Sequence, residues 1–171
     1  GGVTGRTTGV KESDINLAIA LLLKEELSDI GFEVTLTRKT EAGLYDTTAK
    51  GFKKRDMQRR KEIIQEASPS LIISVHQNFY PAKSARGAQV FFLDGGEENR
   101  RFAEGLQGKL NSLYAEEGVK ARKAAVGGDF ALVGENGILT LLWAFGIAGG
   151  ISLVVVIFAM ARALHTAKKA D

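Results

Sequence analysis

Residues 71–78 read LIISVHQN, an apolar run that ends in a histidine and two amides. A continuous apolar run of this length is typical of a strand that is buried on both faces, as in α/β proteins. Polar residues that directly follow such a strand lie at the carboxyl edge of the sheet, where open α/β folds bind their ligands. His76 is therefore predicted to lie at a ligand-binding edge.

Helical and strand patterns alternate around this run. A stripe of apolar residues from Ile15 to Ile30 predicts a first helix, and residues 53–67 and 97–113 predict two more. Residues 32–37 (FEVTLT) and 87–93 (GAQVFFL) are rich in β-branched and aromatic residues and predict strands. This alternation predicts an α/β fold, in which helices pack on a sheet.

The bulk composition restricts the possible chemistry. The chain has 171 residues, which suits one domain, and a net charge of +3 with no cysteine. A charge this small does not indicate a nucleic-acid partner, but it is compatible with an anionic polymer such as a cell wall. Because His76 and His165 are the only histidines, a transition metal would depend on histidine and carboxylate ligands.

A carboxylate is predicted to join His76 at the same edge. Glu12 immediately precedes the first predicted helix, so a preceding strand would place it at the carboxyl edge of the sheet. Glu12 and His76 are plausible zinc ligands, and Asn78 would point the same way and orient a ligand or substrate. The alternatives are a helix-start carboxylate favoured by the helix dipole and a histidine with an ordinary hydrogen bond.

The last third of the chain has a different composition. Residues 136–161 carry no charge, and a bilayer span needs about 20 apolar residues. The sequence predicts an α/β domain at 1–125, a linker at 126–137, a transmembrane helix at 138–161 and a basic tail at 162–171. A buried core helix is the alternative. The positive residues after the span favour a cytoplasmic C-terminus and an external domain.

Several blocks resemble one family of enzymes. KESDINLAIALLLKEEL (11–27), GFEVTLTR (31–38), DMQRRKEII (56–64), SPSLIISVHQN (68–78) and RGAQVFF (86–92) are similar to the type 3 N-acetylmuramoyl-L-alanine amidases, above all the spore-cortex type. The resemblance runs from Gly1 to about Lys123. It implies a mixed, mostly parallel sheet flanked by helices, and a peptidoglycan hydrolase that cleaves the bond between N-acetylmuramic acid and L-alanine in the cell envelope.

The resemblance also implies a zinc site. Glu12 matches one family ligand and His76 matches another, whereas Gly1 and Gly2 look like the remainder of a His-Gly-Gly segment whose histidine would precede Gly1. Glu135 begins a segment that partly resembles the one with the family's catalytic glutamate, although a coincidence is the alternative. With two ligands, this chain is expected to hold zinc poorly. The alternative functions are a membrane-anchored wall-binding remnant without activity and a defective chimeric product.

Overall fold

A computed structural model of the chain contains three helices and four strands among the residues that it describes. The helices are α1 (Glu12–Asp29), α2 (Phe52–Ala67) and α3 (Glu97–Glu116). The strands are β1 (Leu71–Asn78), β2 (Gly87–Leu93), β3 (Val126–Gly128) and β4 (Ile138–Phe145). The described residues are 4–5, 8–44, 50–78, 87–94, 96–116, 118, 126–128 and 138–145.

The four strands form one mixed sheet in the order β1-β4-β2-β3. β1 pairs in parallel with β4 over its whole length, and β2 pairs in parallel with β3. β2 and β4 are antiparallel, with Gly87 opposite Phe145. The predicted α/β class and the mixed, mostly parallel sheet are therefore confirmed for the described part of the chain.

The predicted transmembrane helix at 138–161 is wrong over its first eight residues. Residues 138–145 (ILTLLWAF) form β4, which lies between β1 and β2. An apolar run alone does not separate a membrane helix from a strand buried on both faces, and here backbone pairing on both sides decides for the strand. Residues 146–161 lie outside the described part of the chain. No helix among the described residues is long and apolar enough to cross a membrane.

Part of the predicted linker at 126–137 also belongs to the sheet. Val126–Gly128 form β3 and pair with residues 91–93 of β2. Gly127 lies so close to Asp94 that a Cβ atom would collide with the Asp94 carboxylate. Glycine is therefore required at this position for the short strand to approach the end of β2.

The hydrophobic core joins α1 and α3 to the inner positions of the sheet. Alternate residues of β2, namely Ala88, Val90 and Phe92, are buried and contribute to one cluster. The helical members of this cluster are Ile19, Leu23 and Leu27 of α1 and Ala103, Leu106, Leu110 and Tyr114 of α3. Side chains on one face recur every two residues along β2 and every three to four residues along α3. Each element therefore presents one apolar face that is buried against the other.

The end of α1 follows its sequence signal, but the segment after it does not form the predicted strand. Gly31 has φ +93°, and the N–H groups of Gly31 and Phe32 donate to the carbonyls of Ser28 and Leu27. This is the hydrogen-bond pattern of a Schellman motif. Residues 32–36 alternate between half-buried and exposed, yet residues 32–37 pair with no strand within the described chain. The strand prediction is wrong here. Alternation of apolar and polar residues gives a segment one face that can be buried, but it does not provide a second strand with which the backbone can pair.

One buried glutamine connects α3 to the backbone of β2. Gln107 is 2% exposed. Its Oε1 accepts hydrogen bonds from the Val90 N–H at 2.7 Å and from Gln89 Nε2 at 3.0 Å. Its Nε2 donates to the carbonyl of Ala88 at 3.1 Å. A single side-chain amide thus satisfies two backbone groups of β2, as a neighbouring strand would.

We expect Gln107→Leu to lower the free energy of unfolding by about 2–4 kcal/mol, because it leaves a buried N–H and a buried carbonyl without partners. Urea denaturation followed by circular dichroism measures the change. Gln58→Leu on an exposed part of α2 is the matched control and should change the stability by less than about 0.5 kcal/mol. Equal effects of the two substitutions would contradict this account of Gln107.

A polar network attaches the segment after α1 to α2. Asp56 accepts hydrogen bonds from the Leu44 N–H at 2.9 Å and from Arg60 Nε at 2.7 Å, and Arg60 also donates to Thr37 Oγ1 at 3.0 Å. Burial by itself raises the pKa of Asp56, but the hydrogen bonds from Arg60 and Leu44 and the charge of Arg60 outweigh it. The pKa of Asp56 is therefore lower than its ordinary value.

A lowered folded-state pKa means that Asp56 stabilises the protein above its unfolded pKa, and that this contribution is lost as pH falls through the folded pKa. We expect Asp56→Asn to cost about 1 kcal/mol at pH 7 and to lose this difference from the wild type as the pH falls through the lowered folded-state pKa of Asp56. Unfolding free energies measured from pH 7 to pH 2 check this. Glu66→Gln, at an exposed carboxylate near the end of α2, is the control, and a pH-independent cost of Asp56→Asn would contradict the assignment.

Candidate active site at the carboxyl edge of the sheet

The start of α1 and the carboxyl end of β1 bring Glu12 and His76 together. Glu12 is the first residue of α1, and His76 lies two residues before the end of β1. Their side chains approach to 3.4 Å between Glu12 Oε1 and His76 Nδ1. The Glu12 side chain is 13% exposed and that of His76 is 43% exposed. The carboxylate is thus held inside the edge while the imidazole faces both it and solvent.

Glu12 Oε1 collects hydrogen bonds from both elements. It accepts one from the backbone N–H of Gln77 and one from Asn16 Nδ2, each at 3.3 Å. Asn16 Oδ1 in turn accepts a hydrogen bond from Gln77 Nε2 at 3.4 Å. The position at a helix N-terminus also favours a negative charge on Glu12, because the helix dipole is positive there. These hydrogen bonds hold the Glu12 carboxylate in one orientation.

Ser74 contacts the other nitrogen of the imidazole ring. Its hydroxyl oxygen lies 3.0 Å from His76 Nε2. A hydroxyl can donate or accept, so Ser74 is compatible with either neutral tautomer. When Ser74 accepts from Nε2–H, the lone pair of the ring is on Nδ1, the atom that faces Glu12. Such a contact by the second nitrogen is the usual way in which proteins orient a metal-binding histidine.

The spacing of the two side chains fits a shared cation. Two ligand atoms on one tetrahedral zinc ion, with bonds near 2 Å, lie about 3.3 Å apart. The 3.4 Å between Oε1 and Nδ1 agrees with this value. A carboxylate and an imidazole are also ligand types that zinc prefers. Among the described residues, however, no group of three or more histidine, aspartate or glutamate side chains could hold a metal ion.

Of the other candidate residues from the sequence, Asn78 alone lies in the described part of the chain. Asn78 is the last residue of β1, and its backbone pairs with Phe145 of β4. Glu135, His165, Gly1 and Gly2 lie outside the described residues. Ile138, three residues after Glu135, pairs with Leu71, at the opposite end of β1 from His76.

Asn16, Ser74 and Gln77 belong to the site, and the sequence reasoning missed them. A periodicity signal was available for two of them. Asn16 follows Glu12 by four residues, which is one turn of α1, and Ser74 precedes His76 by two residues, which is the repeat of a strand. Gln77 contributes through its backbone as well as its side chain. No residue pattern marks a backbone contribution of that kind.

Fold and site together define a single α/β domain with a histidine–carboxylate pair at the carboxyl edge of its sheet. A family profile described as N-acetylmuramoyl-L-alanine amidase matches residues 1–146. The chain therefore belongs to the N-acetylmuramoyl-L-alanine amidase family. The match includes β3 and β4 and continues past residue 125, where the sequence predicts the end of the domain.

The chain is also similar in sequence to a known amidase. The chain is 30% identical over 128 residues to the germination-specific N-acetylmuramoyl-L-alanine amidase of Bacillus subtilis (strain 168). This alignment covers 72% of the chain and 54% of that relative, so the chain spans about half the length of the curated protein.

Two solved structures share the fold. One is the CwlD amidase from Clostridioides difficile in complex with the GerS lipoprotein, with a TM-score of 0.86 and 22% identity over 99% of this chain and 92% of that one. The other is the catalytic domain of the amidase CwlV from Bacillus (Paenibacillus) polymyxa var. colistinus, with a TM-score of 0.72, 18% identity and the same two coverages.

Proposed function

We propose that this protein is a zinc-dependent peptidoglycan hydrolase that cleaves the amide bond between N-acetylmuramic acid and L-alanine. The observation that carries the proposal is the 3.4 Å approach of Glu12 Oε1 to His76 Nδ1 at the carboxyl edge of an amidase-family sheet. The small positive net charge of +3 is compatible with an anionic wall polymer as substrate.

In this proposal Glu12 and His76 hold the zinc ion. Bound zinc would act as a Lewis acid on the amide carbonyl and lower the pKa of a water molecule. Asn16 and the Gln77 N–H hold the Glu12 carboxylate in place, and Ser74 holds the His76 ring. Catalytic zinc sites commonly use three protein ligands, so a third ligand is expected from outside the described residues.

The reaction needs a base that takes a proton from water and returns it to the nitrogen of the departing L-alanine. The C–N bond of the amide breaks as the new C–O bond forms. The family resemblance assigns the proton transfer to Glu135. The position of Asn78, two residues after His76 on β1, suggests that it orients the substrate. In a chain that has a complete set of zinc ligands, Glu135→Gln should lower the rate of hydrolysis by about 10²–10⁴-fold.

The biological setting follows from the same substrate. Peptidoglycan lies outside the cytoplasmic membrane, so we place the activity in the cell envelope. The name of the Bacillus subtilis relative describes it as germination-specific, which supports a role in remodelling the spore cortex.

A wall-binding protein without activity is the second candidate. It is favoured by one observation, which is that the described residues supply two candidate ligands and no cluster of three. A binder would retain peptidoglycan affinity without releasing new amino termini, so the two functions are separable in one assay.

We expect the 171-residue chain to bind Zn²⁺ weakly, and Glu12→Gln or His76→Ala to lower the affinity at least about tenfold further. Competition with a zinc-sensitive dye measures the affinity directly, without reference to activity. Ser74→Ala should have a smaller effect of the same sign, since it removes only the group that orients the ring. Glu25→Gln, at an exposed carboxylate on the same helix, is the control. Wild-type affinity in both ligand variants would rule out this site.

On purified peptidoglycan, we expect the 171-residue chain to have little activity, because its described residues supply two candidate zinc ligands and catalytic zinc sites commonly use three. The same chain preceded by a strand that ends in histidine should release new L-alanine amino termini, and a chelator should abolish that release. Labelling of free amino groups followed by mass spectrometry identifies the product. Robust, chelator-sensitive hydrolysis by the unextended chain would refute the requirement for a further ligand. Binding without hydrolysis by both proteins would favour the wall-binding alternative.

A further inference from the structure

The positive charge of the protein is concentrated on α2. This helix carries six lysine and arginine residues against three aspartate and glutamate residues, so its net charge of +3 equals that of the whole chain. α1 has the opposite sign, with one lysine against five acidic residues, and α3 has three basic residues against four acidic ones. Protein surfaces usually mix the two signs, so this separation makes α2 a surface that attracts anions.

One exposed face of α2 combines lysine with amide side chains. Lys54, Gln58, Lys61 and Gln65 follow one another at intervals of four, three and four residues, which places them on the same side of the helix. All four residues are exposed, and we call them the lysine face. Lys54 and Lys61 are two turns apart, about 10 Å along the helix axis, so one extended polymer can contact both.

Two of the carboxylates of α2 are paired with arginines rather than with the lysine face. Asp56 accepts a hydrogen bond from Arg60 at 2.7 Å, and Glu62 accepts one from Arg59 at 3.0 Å. Each of these two acidic side chains is therefore matched by an arginine of the same helix. The lysines account for the excess of positive charge that faces solvent.

The stability of the helix does not explain where its cations lie. The first turn of α2 contains Lys53, Lys54 and Arg55 and no acidic residue. Cations near a helix N-terminus are opposed by the helix dipole, which is positive there, and they destabilise the helix. An external polymer with several negative charges would offset this repulsion.

Hydrogen bonds connect α2 to the edge of the sheet that holds the candidate site. Arg38 donates to the backbone carbonyl of Ser13, the residue after Glu12, at 2.6 Å. The neighbouring residue Thr37 accepts a hydrogen bond from Arg60 of α2 at 3.0 Å. A polymer that is bound along α2 therefore lies close to the start of α1, where the candidate site begins.

We propose that the lysine face binds the glycan strand of peptidoglycan through the free carboxylates of its N-acetylmuramic acid residues. This inference rests on the proposed function, because hydrolysis of the amide bond leaves a carboxylate on N-acetylmuramic acid and an amine on L-alanine. Such a carboxylate is ionised at neutral pH and complements the lysine ammonium groups. The amides of Gln58 and Gln65 can donate to and accept from the hydroxyl and acetamido groups of the sugars.

The composition of the lysine face favours this glycan over a phosphate-bearing polymer or a membrane. Phosphate is recognised best by the planar fork of arginine, and Arg59 and Arg60 are already paired within the helix. A helix that lies on a membrane presents apolar side chains beside its basic ones, whereas amides stand between the lysines here. Because each cleavage adds a negative charge to the strand, the enzyme retains the strand from which it has removed a peptide.

Fluorescence anisotropy with isolated glycan strands tests the proposal. The strands are freed of peptides by an unrelated amidase, labelled at one end and mixed with the 171-residue chain in the presence of a chelator, so that binding requires neither zinc nor hydrolysis. We expect Lys54→Gln/Lys61→Gln to weaken binding about three- to tenfold, because two exposed ion pairs are lost. Lys54→Arg/Lys61→Arg keeps both charges and should bind nearly as well as the wild type.

The matched control removes the same charge from another surface. Arg101→Gln/Lys109→Gln changes two exposed cations of α3 and should leave the affinity close to that of the wild type. Circular dichroism establishes that each variant is folded. Equal weakening by the α2 and α3 substitutions would show that net charge alone matters, and undiminished binding by a folded Lys54→Gln/Lys61→Gln variant would show that the lysine face is not used. Either result overturns the proposal.

Changes to the probe separate the carboxylate from other anions. The wild type should bind strands whose carboxylates have been converted to amides no better than Lys54→Gln/Lys61→Gln binds the unmodified strands, and its binding should weaken as ionic strength rises. Tight binding to the amidated strands would overturn the proposal. So would tighter binding to polyphosphate or to vesicles of anionic phospholipid, with the same dependence on Lys54 and Lys61, because it would assign the lysine face to a phosphate-bearing partner.

The outcome is separable from that of the proposed function, because the strands carry no amide bond to cleave. Strand binding that depends on the lysine face, in a protein that fails to hydrolyse peptidoglycan, would support this surface and contradict the hydrolase. Hydrolysis of peptidoglycan without such binding would support the hydrolase and contradict this surface.

Discussion

The pairing of β4 on both of its edges is the constraint on which the rest of the structure depends. β1 contributes the candidate site and β2 contributes most of the buried strand residues, yet these two strands do not pair with each other. Ile138–Phe145 joins them, in parallel to β1 and antiparallel to β2. A segment that is separated by more than forty residues from β2 thus completes the sheet, and its backbone hydrogen bonds compensate the entropy of closing that long loop.

The candidate site is a product of two element ends that meet at one edge. A helix start supplies a dipole and a carboxylate, while a strand end supplies an imidazole and a backbone N–H. The hydrogen bond from the Gln77 N–H to Glu12 joins the two ends directly. Because the strand backbone fixes this donor, the position of the carboxylate depends on the rigid sheet rather than on a loop. The side chains of the candidate site thereby stabilise one another at this edge.

The two sides of the sheet differ in how completely they are packed. Around β2, the side chains of α1 and α3 form a dense cluster, and Gln107 satisfies the backbone groups that the strands do not. Around β1 there is an open groove, which is lined by residues of β1, α1, α2 and the segment after α1. The residues of β1 are only half-buried there, and α2 contains no buried residue. Asp56 and Arg60 of the polar network are among the residues that line that groove. Glu12 and His76 of the candidate site are also among the residues that line this groove.

The sequence by itself determined most of the local elements and predicted that Glu12 and His76 meet at one edge of the sheet. Apolar periodicity located α1 and α3, and a run rich in Lys, Arg, Glu and Gln located α2. Gly31 marked the end of α1, because a left-handed φ at that position favours glycine. The continuous run LIISV predicted a buried strand, and its position before His76 placed that residue at the carboxyl edge. These features depend on a few neighbouring residues, so they can be inferred without knowledge of the fold.

Only the tertiary structure decided which apolar or alternating segments became strands. Residues 32–37 have a strand pattern but pair with no strand in the part of the chain that the structure describes, whereas residues 138–145 have the pattern of a membrane helix and pair with two strands. A helix satisfies its own backbone hydrogen bonds, but a strand requires another segment, and the position of that segment is not encoded locally. For the same reason the roles of Asn16, Ser74 and Gln77 emerged only when α1 and β1 were brought together in space.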